Sequence, residues 1–447
     1  MSYFPITVLL TLAVTTNIHA GDVTSGLMEK LKANGKADAV LSMPSIMSSV
    51  LSNPMMSLLS GNDKTNFMTG LMKQMTSASQ APFLNALQSL GVKDTQPFWV
   101  ANKISMKGVG APVINALSAL PGVFEIREPF RVNLVNPVER GDNSSFSRRS
   151  GDAQWGVQRI GACSVWDRTK GDGVLVANID TGVAADHEAL SGNYAGKFHD
   201  AYGGHTEDEP YDDGGHGTHT MGTICGQTNG IGVAPDARWV ACKGLGNDGG
   251  TEVMLSECAQ WILDLEEKPV VVSNSWGGGQ AGKWYNDEIT AWQQAGIVPV
   301  FAIGNSGPNC GTANSPGDQP NLISVGATQQ SNDIMAKFSS RGPLKGTKTI
   351  KPEVAAPGQN VLSAWPDGSY QSLSGTSMAT PHVAGAVALM KAANPSITYK
   401  QIYQKLTSTT DKPTVASGDL KCSGSTNQKY PNNAYGYGRI NVAKAMA

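Results

Sequence analysis

The sequence predicts an α/β protein built on a parallel β-sheet flanked by helices, with a smaller α+β unit ahead of it. Three observations predict this. Short apolar runs after residue 155 end in polar residues or glycine; helical patterns separate those runs; and residues 136–154, almost without apolar side chains, divide this region from a differently patterned one. Strands buried on both faces read as continuous apolar runs, and parallel neighbours need a crossover, usually a helix. The runs are Val174–Ile179, Trp239–Ala241, Val270–Val272, Val298–Ile303 and Leu322–Val325, with helical patterns such as Glu252–Leu265 and Asn286–Ala295 between them. In such sheets the chemistry gathers beyond the carboxyl ends of the strands.

Taken in order, residues 1–20 carry an apolar run from Ile6 to Val14 and a small residue, Ala20, at a plausible cleavage point. The run is too short for a bilayer, which needs about 20 apolar residues, and reads as an export signal even though no Lys or Arg precedes it. Residues 21–80 are rich in Ser and hold most of the nine methionines found in residues 1–80, out of 16 in the chain, which suggests a loosely packed helical pro-region. Residues 81–135 are better patterned. Phe83, Leu84, Leu87 and Leu90 recur at helical spacing, Phe98–Met106 alternates like a strand, Ala111–Leu120 reads as a helix opened by Pro112, and Val123–Arg127 reads as a second strand. Together they predict a small α+β unit. Residues 136–154 have linker composition, with Arg148-Arg149 exposed to nicking and one sequon at Asn143. Residues 155–447 form the main domain.

Composition excludes several partners. The 34 basic and 36 acidic residues give a net charge of −2 without a basic block, which argues against nucleic acid and a polybasic membrane contact. No segment after the signal reaches transmembrane length. All six cysteines, Cys163, Cys225, Cys242, Cys258, Cys310 and Cys422, follow residue 150, and an even count in an exported chain favours disulfides over free thiols. Six cysteines allow 15 pairings, among which the spacing does not choose.

Four motifs stand at element boundaries. Asp180 closes a buried strand (VLVANID, 174–180). His216 sits among glycines in GGHGTHTMG (214–222) at a helix start. A His pair at i and i+3 lacks the i, i+4 spacing with an intervening Glu used by zinc proteases, so His216 and His219 are not read as metal ligands, and His219 and His382 are read as structural. Asn305 is delivered by a buried strand into a Gly-rich loop (VFAIGNSG, 300–307), where an amide can donate to developing negative charge. Ser377 lies near a helix N-terminus in SGTSMATPHVAG (374–385), where free N–H groups favour an oxyanion. Each has a bland reading alone: a turn Asp, a packed His, a turn Asn, an N-cap Ser. Together they supply nucleophile, base, carboxylate and oxyanion donor.

The order Asp, His, Ser is that of subtilisins. The segments NIDTGV, GHGTHTMGT, NSWGGG, AIGNSG and GTSMATPHVAG resemble the signature segments of the subtilase family of serine proteases, and the likeness runs from about Trp155 to Asn441. WGVQRIGACSVWD and VAPDARWVACKGLGNDGGTE resemble its bacillopeptidase F-like branch, and residues 81–135 resemble an inhibitor-type, ferredoxin-like prodomain. The resemblance implies Ser377 as nucleophile, His216 as general base then acid, Asp180 as its orienting carboxylate, and Asn305 with the Ser377 N–H as oxyanion donors. It places an extended substrate between Gly249-Gly250-Thr251 and Ser275-Trp276-Gly277, with the Trp276-Gly277-Gly278 wall and the loop Cys310–Pro316 shaping the pocket before the cut. Asn314 stands there in place of a small residue and narrows that pocket. The implied protein is a secreted, monomeric endopeptidase of broad specificity that needs no cofactor, with the prodomain as intramolecular inhibitor and autocleavage in 136–154. Between Thr223 and Pro235 the chain is shorter than in subtilisins with a strong calcium loop, so structural Ca²⁺ is not expected at that site. A catalytically silent subtilase, or an esterase or ligase using the same acyl-enzyme, are the alternatives.

Overall fold

The computed structural model describes residues 21–141, 153–203, 209–320, 322–344, 346–423 and 428–447. The expected export signal, the Asn143 sequon and Arg148-Arg149 lie outside the described residues. Two compact units are present: the chain up to Pro44 with Ala78–Pro97 and Asn102–Glu128, and Ser45–Ser77 with Phe98–Ala101 and Pro129–Ala447.

The small unit contains β1 (Asp22–Val23), β2 (Lys36–Ser42), β3 (Thr95–Phe98), β4 (Lys103–Gly110) and β5 (Glu125–Arg127) in the sheet order β1-β5-β2-β4-β3. β2 pairs antiparallel with both β4 and β5. Counting the helices Gly61–Ser89 and Ala111–Ser118 in their places gives β-α-β-β-α-β from β2 to β5, with β5-β2-β4-β3 as the strand order of a ferredoxin-like arrangement. Leu27, Leu41, Phe83, Leu87, Ile104 and Ile114 meet in its core. Two expectations are corrected here. Residues 21–80 are not helical throughout, because β2 lies among them, and the unit starts well before residue 81. The strand escaped notice because its only β-branched residue is Val40. Phe98–Met106 is not one strand either: the chain turns at Trp99–Asn102, with Asn102 at φ 49°, between β3 and β4.

After Pro129, the strands of the large unit start with β6 (Arg131–Leu134) and β7 (Glu139–Arg140). Then come β8 (Leu175–Asp180), β9 (Tyr194–Asp200), β10 (Arg238–Lys243), β11 (Gly250–Thr251), β12 (Val271–Asn274) and β13 (Trp276–Gly277). β14 (Val298–Ala302), β15 (Ile323–Thr328), β16 (Val354–Pro357), β17 (Val361–Ala364) and β18 (Tyr370–Ser374) complete the set. Seven of them make one parallel sheet, β16-β15-β14-β12-β8-β10-β9. Alternate residues of β8 feed two cores. Val176 joins Val300, Val325 and Val383 beneath the helices His216–Cys225 and Thr376–Ala393. Ala177 and Ile179 join Phe301, Ile262 and Trp292 beneath the helices Glu252–Asp264 and Asn286–Gln294. Met47, Val50, Met56, Met68 and Met72 are buried in this second core, so residues 45–77 are not loosely packed as expected.

Disulfides join Cys242 to Cys258 and Cys310 to Cys422. Four of the six cysteines are thus bridged, in line with the expectation, while Cys163 and Cys225 remain thiols; Cys225 lies wholly inside the core, and burial raises both thiols above their ordinary pKa.

Candidate active site

β8 ends on Asp180, which is buried. His216 opens the helix His216–Cys225, and its Nδ1 donates to Asp180 Oδ1 at 2.7 Å. The same carboxylate accepts from Thr181 N at 2.8 Å and Thr220 Oγ1 at 3.2 Å, so both its oxygens are engaged while the carboxylate stays an acceptor. With the proton on Nδ1, His216 Nε2 carries the lone pair; it is buried and meets no hydrogen-bond partner.

A second carboxylate fixes the geometry of this pair. Asp212 Oδ1 accepts from Thr181 Oγ1 at 2.7 Å, Gly214 N at 3.0 Å and Gly215 N at 2.8 Å. Its Oδ2 accepts from Thr218 N at 2.8 Å and Thr218 Oγ1 at 2.6 Å. One side chain therefore ties the turn after Asp180 to both flanks of His216. Sequence reading missed Asp212. Its signal was an acid two and three residues before glycines, the spacing of an Asx turn.

His219 and His382 are structural, as expected. His219 Nε2 donates to Val361 O and Gln371 O, each at 3.0 Å, and burial lowers its pKa to about 3. His382 Nδ1 donates to Met378 O at 2.8 Å, and burial lowers its pKa to about 4. Both are neutral at physiological pH.

Ser377 is the second residue of the helix Thr376–Ala393, with Gly375 as its extended N-cap. Thr376 N and Oγ1 both donate to Asn305 Oδ1, each at 2.9 Å. Those two donors fix which end of the amide is oxygen and turn Nδ2 outward as a donor. Nδ2 donates to Asn136 O at 2.8 Å. Thr376 is the second positioning residue that sequence reading missed.

The cleft holds the chain's own segment 131–141. β6 lies antiparallel between two strands: Val132 opposite Gly250 and Arg131 opposite Thr251 on β11, Leu134 opposite Trp276 and Asn133 opposite Gly277 on β13. Val135 N donates to Ser275 O at 3.2 Å, and Ser377 Oγ donates to Val135 O at 2.6 Å. Beyond the serine, Val138 N donates to Ser374 O, and β7 pairs antiparallel with β18, Glu139 opposite Ser374 and Arg140 opposite Leu373. A cavity of about 190 Å³ opens beside His216, lined by Leu134, Pro137, Arg140, Asn247 and Trp365 among others.

Gly249-Gly250-Thr251 and Ser275-Trp276-Gly277 thus stand on the two flanks of an extended segment. Trp276 contributes only main chain. Its indole is buried against Tyr285 and Phe301 with ring centroids 5.2 Å away in each case, so Trp276 meets β6 through its backbone alone. Asn314 lies between Gly304 and Gly277: a Cβ on Gly304 would fall 2.0 Å from its Oδ1 and one on Gly277 3.5 Å from its Cβ.

A parallel sheet whose strand ends carry a carboxylate–imidazole pair, a helix-borne serine and an outward amide is the scaffold of a serine hydrolase. The profile of the subtilase family matches residues 171–438, and the chain belongs to that family of serine endopeptidases. It is similar to Bacillopeptidase F of Bacillus subtilis (39% identity over 82% of this chain). It is also similar to Subtilisin Savinase of Lederbergia lenta (37% over 65%) and to Thermitase of Thermoactinomyces vulgaris (37% over 53%). The match spans 27% of the length of Bacillopeptidase F, 97% of Savinase and 81% of Thermitase.

Proposed function

We propose that the chain is a secreted zymogen that hydrolyses peptide bonds in extended protein segments through an acyl-enzyme. His216 Nε2 takes the Ser377 proton as the hydroxyl attacks; Asp180 holds the Nδ1–H tautomer and stabilises the imidazolium; Asn305 Nδ2 and the Ser377 N–H receive the oxyanion. The leaving amine then takes the proton from His216, and water repeats the sequence on the ester.

One observation carries the reading: Ser377 Oγ rests 2.6 Å from the carbonyl oxygen of Val135, in a strand hydrogen-bonded on both edges. Residues 131–140 occupy the cleft as a substrate would, and the first cut is the Val135–Asn136 bond, at the border of the 136–154 linker. The intact arrangement is held back by its own hydrogen bonds. The serine proton points at the carbonyl, not at His216, and the Asn305 amide is engaged by Asn136 O. Main-chain pairing makes few sequence demands, which favours broad specificity, and buried Val132 and Leu134 favour apolar residues ahead of the cut.

Calcium is not expected in the turn after Cys225. Gln154 already donates to the carbonyls of Asn229 and Gly230 there, which supports that reading. A chelator should leave the melting temperature unchanged, and a fall of many degrees would reverse the assignment.

Expression of Ser377→Ala beside the parent tests the function. The parent should be exported, label with a fluorophosphonate and give a mature N-terminus at Asn136; the variant should stay full length after signal removal. A variant cut at the same bond assigns processing to another protease.

A further inference from the structure

The pairing of β7 with β18 fixes where each side chain beyond the cut must lie. Val138 N donates to Ser374 O at 2.9 Å and Gly141 N to Ser372 O at 2.9 Å, and Arg140 stands opposite Leu373. In that register the Arg140 guanidinium lies over the Trp365 ring, 5.5 Å from its centroid. The ring is held on two sides. Trp365 N donates to Ser369 O and Gly368 N to Trp365 O in the turn before β18, and a Cβ on Gly215 would fall 2.4 Å from the indole. The indole is only partly buried and packs against the cluster of Val361, Leu373 and Met378, leaving a face toward the cleft. A ring fixed this way presents its electron-rich face to whatever the fifth residue of the leaving segment carries.

We infer that Trp365 is a specificity-determining residue on the leaving side of the cleft, forming a subsite for a cationic side chain, arginine before lysine, five residues beyond the bond cut. Arginine leads because its planar guanidinium stacks on an indole as well as attracting it, whereas an ammonium is a compact, strongly hydrated charge. The inference rests on the proposed reading that 131–140 lies as a substrate lies. It adds a demand at a position where main-chain pairing alone would accept any residue.

Internally quenched peptides of sequence Arg-Val-Asn-Leu-Val-Asn-Pro-Val-Glu-Xaa-Gly, with Xaa as Arg, Lys, Ala or Glu, test it on the processed enzyme. Fluorophosphonate labelling normalises each preparation to its folded active sites, and mass spectrometry locates the cut. The parent should cleave the Arg peptide about twofold to fivefold faster in kcat/KM than the Ala peptide, with Lys between them. Trp365→Ala should bring the ratio to one, and Trp365→Phe should retain part of it. An Arg/Ala ratio of one in the parent, or the same ratio in the parent and Trp365→Ala, overturns the subsite while leaving the protease reading intact. Failure to cut any peptide at Val–Asn overturns the substrate-like reading of 131–140 and the subsite with it.

Discussion

On the acyl side of Ser377, β6 is hydrogen-bonded along both edges and turns Val132 and Leu134 inward; on the leaving side, β7 has one partner, β18, and Glu139 and Arg140 are exposed. The first half combines main-chain pairing with burial of apolar side chains, each worth about 1.5–3 kcal/mol when fully buried. The second offers main-chain bonds and one exposed cation–π contact of about 0.5–1 kcal/mol. The asymmetry suits a hydrolase that must retain the acyl half through a second step while the amine half departs. On the proposed reading, the half kept after cleavage would be the half held more tightly, and it would act as an inhibitor.

The sharpest test lies at the junction of the halves. Asn305→Ala removes the amide donor, and kcat should fall about 10²–10³-fold with KM little changed, a magnitude itself measured on a subtilisin. An equal loss in KM would mean that the amide holds substrate, not the transition state. Next, the product peptide Pro129–Val135 should inhibit the mature enzyme, and its Leu134→Ala form should do so about tenfold to a hundredfold more weakly. The peptide Asn136–Gly141 should not inhibit at comparable concentrations; equal potency would abolish the asymmetry. Asp212→Asn keeps the size of the clamp but turns part of it into a donor facing the Gly214, Gly215 and Thr218 donors. About a tenfold loss in kcat is expected, with a displaced pH profile, because His216 would lose its register with Asp180. An unchanged profile would make Asp212 merely structural.

The last test involves neither half. His219 and His382 have folded-state pKa values of about 3 and about 4, below the ordinary value of 6.5. The unfolded chain therefore takes up protons first as pH falls, and stability, complete above about 6.5, declines toward pH 4. The melting temperature of Ser377→Ala, which cannot digest itself, should drop over that interval. Replacing His382 with Gln should flatten part of the decline.

The parallel sheet and the positions of the four candidate side chains were legible because each sits where a continuous apolar run meets glycine or a helix start, a boundary that composition alone marks. The residues that aim them were not. Asp212 and Thr376 act through hydrogen bonds to main-chain atoms and to a neighbouring amide, and nothing in a linear pattern reports the direction of an acceptor. The direction of the Trp276 indole was hidden for a related reason: a strand presents alternate faces, and the sequence does not say which face of a two-residue strand is the core. β2 hid in a stretch of Ala, Asp and Ser whose burial depends on strands far along the chain. The cysteines needed the fold as well, since spacing does not report that Cys242 and Cys258 meet in the core while Cys225, equally buried on its helix, keeps its thiol.

On the proposed reading, the continuous thread from Arg131 to Arg140 would couple maturation to taste: a cleft altered in what it prefers would also be altered in how well it recognises its own junction. Rewriting the decapeptide in step with the cleft would then offer a selection for new proteases in which survival of the precursor is the penalty for a mismatch.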